Sequence, residues 1–162
     1  TGVQTCALPI SDGCFYFLFL PGMESAIESY AVRVSLPGAG SRYAEFAEAT
    51  VLVSRQDDQV QLVTVNLALP PTALTGQIKD LQNQPMRMAR VQLVGSSDST
   101  FSDDQGNYLL SELQASQSKA DQRTVTVAAQ GCEPTAQAIF LERGKTTPLN
   151  FQLKRTKSAQ TS

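Results

Sequence analysis

From Leu74 onward, apolar side chains return at every second position in short runs, and that period decides the fold class. Leu74, Gly76 and Ile78 fall on one face, with Thr75, Gln77 and Lys79 on the other. Ala89, Val91 and Leu93 alternate with Arg90 and Gln92 in the same way. Tyr108 with Leu110, Val125 with Val127 and Ala129, and Leu149 with Phe151 and Leu153 repeat the pattern. Successive side chains of a strand point to opposite faces, so a period of two over such short runs is that of half-buried strands. Turn-forming residues separate the runs at Asp80 to Pro85, Gly95 to Asp98, Asp103 to Gly106 and Arg143-Gly144. About seven strands divided by turns predict an all-β chain folded as a two-sheet sandwich. Its expected core is Ile78, Val91, Leu93, Tyr108, Leu110, Val125, Val127, Phe140, Leu149, Phe151 and Leu153. The polar stretch Gln114 to Gln122 is the one interruption, helical or irregular.

The chain also resembles itself. Gly13 to Gly38 aligns without a gap on Gly106 to Gly131, 93 positions later. Gly13 meets Gly106, Leu20 meets Leu113, Val32 meets Val125, Val34 meets Val127, and Gly38 meets Gly131. After a longer hairpin in the first copy the register returns 84 positions apart, where Asn66 to Leu69 (NLAL) matches Asn150 to Leu153 (NFQL). A fixed internal period is the signature of repeated modules. The expected organisation is a partial first module over 12–69, a Pro-Pro linker over 70–73, a complete module over 74–153 and a disordered tail over 154–162. Pro70 and Pro71 lack backbone donors and fix φ, which ends a strand and stiffens the connection. In the partial copy, strands are expected near 14–20, 29–36, 46–54 and 59–69, with an apolar face whose covering strands are missing.

Residues Thr1 to Ile10, TGVQTCALPI, match codon for codon the translation of a common sequencing-library adapter, and 1–11 are set aside from fold reasoning on that ground. They are expected to add no strand pairing, and Cys6 carries no meaning. Cys14 and Cys132 remain, too far apart to define a disulfide framework, and are read as small apolar residues in or near strands. The run Cys14 to Met23 is too short to span a bilayer and has no preceding positive charge, so it is read as a buried strand rather than a leader or an anchor. A net charge of −2 over 162 residues gives no electrostatic reason for nucleic acid or an anionic membrane surface. Histidine is absent, which removes the commonest general base and metal ligand.

The string LTGQIKDLQNQPMRMARVQLVGSSDSTFSDDQGNYLLSEL resembles the opening of the carboxypeptidase regulatory-like domain, a transthyretin-like fold. Its landmarks fall at Gly76, Ile78, Asp80, Pro85, Ala89, Val91, Leu93, Asp103, Gly106, Tyr108 and Leu110. Cys132 stands where an aromatic residue is usual, and Ser102 replaces the threonine before Asp103. The resemblance implies a seven-stranded antiparallel Greek-key β-sandwich, transthyretin-like or immunoglobulin-like, preceded here by the C-terminal half of a second copy. It also implies a secreted, cell-surface or periplasmic setting and no catalysis in the module itself.

Candidate chemistry is thin. Asp98, Asp103, Asp104 and Asn107 offer oxygens for calcium, but they lack the twelve-position ligand spacing and suit tight turns. Lys79 and Asn150 could join as an isopeptide, yet both fall on the polar phase of their strands. Tyr43 and Phe46 are the only aromatic candidates for a sugar platform, and tryptophan is absent. No catalytic, cofactor or metal residues are assigned, and no cofactor is expected. The leading expectation is a structural or interaction module of a larger exported or cell-surface bacterial protein with a protein or surface partner. The alternatives are an accessory domain of a secreted peptidase or other enzyme, and a carbohydrate-binding module.

Overall fold

The structure, a computed structural model, describes residues 8–9, 15–16, 27–54 and 63–157. Its strands are β1 (Leu8–Pro9), β2 (Phe15–Tyr16), β3 (Ile27–Val34), β4 (Ala47–Ser54), β5 (Ala73–Asp80), β6 (Arg90–Leu93), β7 (Ser99–Phe101), β8 (Asn107–Leu110), β9 (Arg123–Ala128), β10 (Thr135–Ile139), β11 (Thr146–Pro148) and β12 (Phe151–Leu153). A short 3-10 segment, Pro37–Arg42, stands between β3 and β4. The chain divides into two compact units. One holds Thr1–Arg33 and Glu48–Asn66, the other Val34–Ala47 and Leu67–Ser162.

In the first unit β3 pairs with β4, and Arg33 Nη2 reaches Glu48 Oε2 at 2.8 Å. β1 pairs with β2, Leu8 opposite Tyr16 and Pro9 opposite Phe15. The expectation that residues 1–10 add no pairing therefore fails. The ladder is two residues long and joins segments close in sequence, so it closes only a short loop. Of the strand expected over 59–69, residues 63–69 form none, and the rest lies outside the described residues. Cys6 and Cys14 also lie outside them.

The second unit carries the sandwich. β10, β9, β6 and β7 form one antiparallel sheet in that order. β5 anchors the other, with β8 antiparallel on one side and β11 and β12 along the other. The buried cluster draws Leu74, Ile78, Tyr108, Leu110, Phe151 and Leu153 from the second sheet and Val91, Leu93, Val125 and Val127 from the first. The inward phase read from the sequence is the one that packs, as it must be, because a one-residue slip would turn the whole set to solvent.

Three features depart from expectation. β11 and β12 run parallel to β5, not antiparallel. A parallel neighbour needs a long crossover, and the intervening chain supplies it through the opposite sheet. Because β11 and β12 flank the same strand and are broken only at Leu149 and Asn150, they count as two ladders of one interrupted strand. Second, Phe140 is only half-buried, and Leu141 is fully buried in its place. Ser116 exchanges two hydrogen bonds with the Leu141 backbone, at 2.9 and 3.0 Å, and so fixes which of the two apolar neighbours turns inward. Leu149 packs against the core from a half-buried position. Third, residues 111–122 form no helix. Leu113 and Ala115 are buried there, and Gln117 N donates to Asp121 Oδ2 at 2.8 Å.

Truncation should separate the two apolar neighbours. Leu141→Ala is expected to cost about 2 to 5 kcal/mol in urea unfolding, as buried leucines do, and Phe140→Ala clearly less. Equal costs would mean that the turn at Ser116 does not select Leu141.

Candidate functional site

β5 has a polar residue at each end of its inward phase, Thr72 just before it and Asp80 at its close. Asp80 is only 2% exposed. Its Oδ1 accepts from the Gln82 and Gln84 amides, each at 2.9 Å, and its Oδ2 accepts from Arg155 Nη2 at 3.0 Å and Nε at 3.1 Å. Buried carboxylates persist only when so satisfied. The Gln84 amide, helped by Arg155 and Gln82 and opposed by burial, holds the Asp80 carboxyl below the usual carboxylate range.

Beyond β7, Ser102 and Asp103 set the next turn. The buried Ser102 hydroxyl donates to Met86 O and accepts from Ala89 N at 3.0 Å, so replacing threonine by serine keeps the hydroxyl's work. Asp103 Oδ1 accepts from the Gln105 and Asn107 amides, both at 2.9 Å. Gly106 has φ +77°, and a Cβ there would lie 2.4 Å from Ile78 O. Tyr108 donates its hydroxyl hydrogen to Leu149 O, and its ring stands 6.4 Å from that of Phe151. Burial pushes the Tyr108 phenol well above its ordinary range.

The sequence-level candidates do not converge. Asp98 accepts from Ser96 at 2.8 Å and faces Arg42 at 3.6 Å, Asp104 faces Arg87 at 3.6 Å, and Asp103 serves its own turn. Among the described residues no group of three or more Cys, Asp or Glu side chains is arranged to hold a metal. Asn150 Oδ1 accepts from Gln77 N at 2.8 Å, which engages the carboxamide an isopeptide would need. Tyr43 donates to the Glu112 carboxylate, which raises its phenol pKa, and Phe46 stands three residues on, exposed. Cys132 is buried and free.

A second polar cluster escaped the sequence reading. Thr72, fully buried, donates from Oγ1 to Ser41 O at 2.8 Å and accepts from Gly144 N at 2.9 Å. Arg143 donates from Nε to Tyr43 O at 2.8 Å and from Nη2 to Gly40 O at 2.9 Å. Arg42 donates to Glu112 O, and the Ser41 hydroxyl donates to Gln114 Oε1 at 2.7 Å while accepting from Ala115 N. The only trace of this cluster in the sequence is Thr72 itself, a polar residue on the inward phase of β5.

Residues 73–154 match the model of the carboxypeptidase regulatory-like domain. The chain belongs to that family. Four of the landmarks that carry the resemblance are residues whose geometry has just been given: Asp80, Asp103, Gly106 and Tyr108. Two solved structures similar to the chain are C-terminal and N-terminal interface mutants of the type II cohesin–X-dockerin complex of Acetivibrio cellulolyticus. Each is 16% identical, with TM-scores of 0.41 and 0.42 over 51% and 52% of this chain. The chain spans 56% and 58% of their lengths. The Bacillus anthracis TIE protein is 12% identical, with a TM-score of 0.44 over 82% of this chain and 27% of that one. Comparison with curated proteins finds no match.

Two outcomes follow for the regulatory-like domain. The folded-state pKa of Asp80 is depressed, so its contribution to stability is present above the unfolded value near 3.9 and is lost as pH falls through the lower folded value. Asp80→Asn should lower the melting temperature at pH 7 and flatten its decline at acid pH; an unchanged acid decline would remove Asp80 from the account. Calcium or a chelator should leave the melting temperature unchanged, since the Asp103 turn is closed by its own amides, and a calcium-dependent rise of several degrees would reverse that reading.

Proposed function

We propose that the chain is a non-catalytic structural and interaction segment of a larger exported or cell-surface bacterial protein. In this reading 12–69 is part of one β-sandwich module, 70–73 a connector and 74–153 a complete module, while Lys154 to Thr156, expected as the start of a disordered tail, pair back onto Gly131 to Glu133. The observation that carries it is the engagement of the polar side chains inside the domain. Asp80, Ser102, Asp103 and Tyr108 each bind backbone groups of turns or strand breaks. The groups a reaction would recruit are committed to holding the scaffold. Membership of the regulatory-like family is compatible with the same reading, because a fold of this kind fixes no chemistry of its own and function depends on sites grafted onto it.

The partner is a protein or another component of the cell surface. The net charge of −2 argues against nucleic acid. No helix among the described residues is long and apolar enough to cross a membrane. Antibody raised to residues 73–154 should label intact source cells, and the label should disappear when the cells are treated with protease before lysis. Labelling that requires lysis would overturn the surface assignment. Saturable binding on a glycan array would move the reading to a carbohydrate-binding module, and a catalytic domain in the same gene product would move it to an accessory domain of an enzyme.

A further inference from the structure

One backbone pattern occurs twice in the unit that holds the domain. Glu133 N donates to Lys154 O at 2.8 Å and Thr156 N to Gly131 O at 2.9 Å, on either side of the Cys132–Arg155 bridge. Ala44 N donates to Pro70 O at 2.8 Å and Thr72 N to Arg42 O at 2.7 Å, on either side of the Tyr43–Pro71 bridge. The loop positions are 89 apart and the exit positions 84 apart, and the second offset is the one that matches Asn66 to Leu69 with Asn150 to Leu153. Each copy thus closes by laying its exit segment against its own hairpin loop.

The two closures differ in what surrounds the threonine that ends them. Thr156 is exposed, whereas Thr72 is fully buried. Thr72 O accepts from Leu113 N at 2.9 Å, and the next amide, Ala73 N, donates to Lys145 O at 3.0 Å, so the chain enters β5 directly from the closure. The surface that receives loop 40–44 is shaped for it. Gly144 has φ +69°, and a Cβ there would stand 2.6 Å from Ala44 Cβ. Arg143 takes two loop carbonyls, and Glu112 takes Arg42 on its carbonyl and Tyr43 on its carboxylate.

We propose that this end of the domain, formed by Thr72, Glu112, Gln114, Arg143 and Gly144, is a docking site whose occupant is the hairpin loop of a preceding copy of the module, here Gly40 to Ala44. The proposal rests on the tandem reading above and names its partner. The occupant's chemistry is specific: a hydroxyl at the Ser41 position, arginine and tyrosine after it, and a methyl facing Gly144. The second copy's loop has Gln130, Gly131, Cys132 and Glu133 at those positions, and so cannot fill the same site on another copy.

The test is residue-resolved amide exchange on the full chain, with the undocked closure as internal reference. In the unaltered chain, Ala44 and Thr72 amides should exchange more slowly than Glu133 and Thr156, which make the same backbone bonds without docking. Ser41→Ala combined with Arg143→Ala should speed exchange at Ala44 and Thr72 by about tenfold or more, leaving Glu133, Thr156 and the core amides of Val91 and Val127 within about twofold. Protection at Ala44 and Thr72 that survives the double substitution would overturn the docking site. So would its loss together with Val91 and Val127, because the loop would then be part of one indivisible core. The exchange is read on purified chain, so its failure leaves the surface assignment standing, and failure of surface labelling leaves the exchange result standing.

Discussion

The carbonyl of Leu149 lies 1.9 Å from where a Cβ on Gly76 would be, a distance no side chain tolerates. That approach lets β5 run through the middle of its sheet with a broken strand along one edge. At the break, Leu149 N donates to Thr75 O, Asn150 Oδ1 takes Gln77 N, and Tyr108 reaches across β5 to the Leu149 carbonyl. Backbone groups left unpaired in a buried strand would carry a desolvation cost of about 1 to 3 kcal/mol each. The break is therefore closed by side chains from both flanking segments, and the glycine is the condition for all of it. With β5 fixed, β8 and β12 bring Tyr108, Leu110, Phe151 and Leu153 over the core, and the opposing valines of β6 and β9 have a surface to pack on.

What the sequence discloses and what it hides divide along the distance over which each interaction acts. Alternation is local, so Val91, Leu93, Val125 and Val127 could be assigned inward from their neighbours alone. Turn chemistry is local too, and Asp80, Asp103 and Gly106 do what aspartate and glycine do in turns. Ile139, Phe140 and Leu141 are three consecutive apolar residues, and no local rule chooses among them. The choice is made by Ser116, 25 positions away. Parallel pairing of β11 and β12 with β5 joins segments about seventy residues apart, and nothing in either segment's period records its partner's direction.

Thr72 carries a signal that is readable in the sequence. Positions 72, 74, 76, 78 and 80 share one phase, and a threonine and an aspartate at its two ends stand where apolar residues would be expected. Polar residues on an inward phase require partners, so both pointed to buried hydrogen-bonding sites. Asp80 is a landmark of the family resemblance, whereas Thr72 falls within the Pro-Pro linker expected over 70–73. In the Pro-Pro segment a residue without an N–H suggests a connection free of pairing, yet its carbonyl remains an acceptor, and Pro70 O is used.

The two closures show how one backbone arrangement serves different needs. At the first, the equivalents of Lys154 and Arg155 are Pro70 and Pro71. The ladder calls on the carbonyl of the first residue and on no amide of either, so proline fits both positions without losing a bond and limits the unfolded chain's freedom. At the second, the same freedom from amide bonding allows charged residues. Arg155 uses it to reach Asp80, which ties the exit of the chain to the end of β5 while its own side chain stays 63% exposed. Stiffness before a following strand and a charge latch at an exposed end are alternative ways to hold the closing segment. Each matches its surroundings: Thr72 passes straight into β5 under a covering loop, and Thr156 stands in solvent.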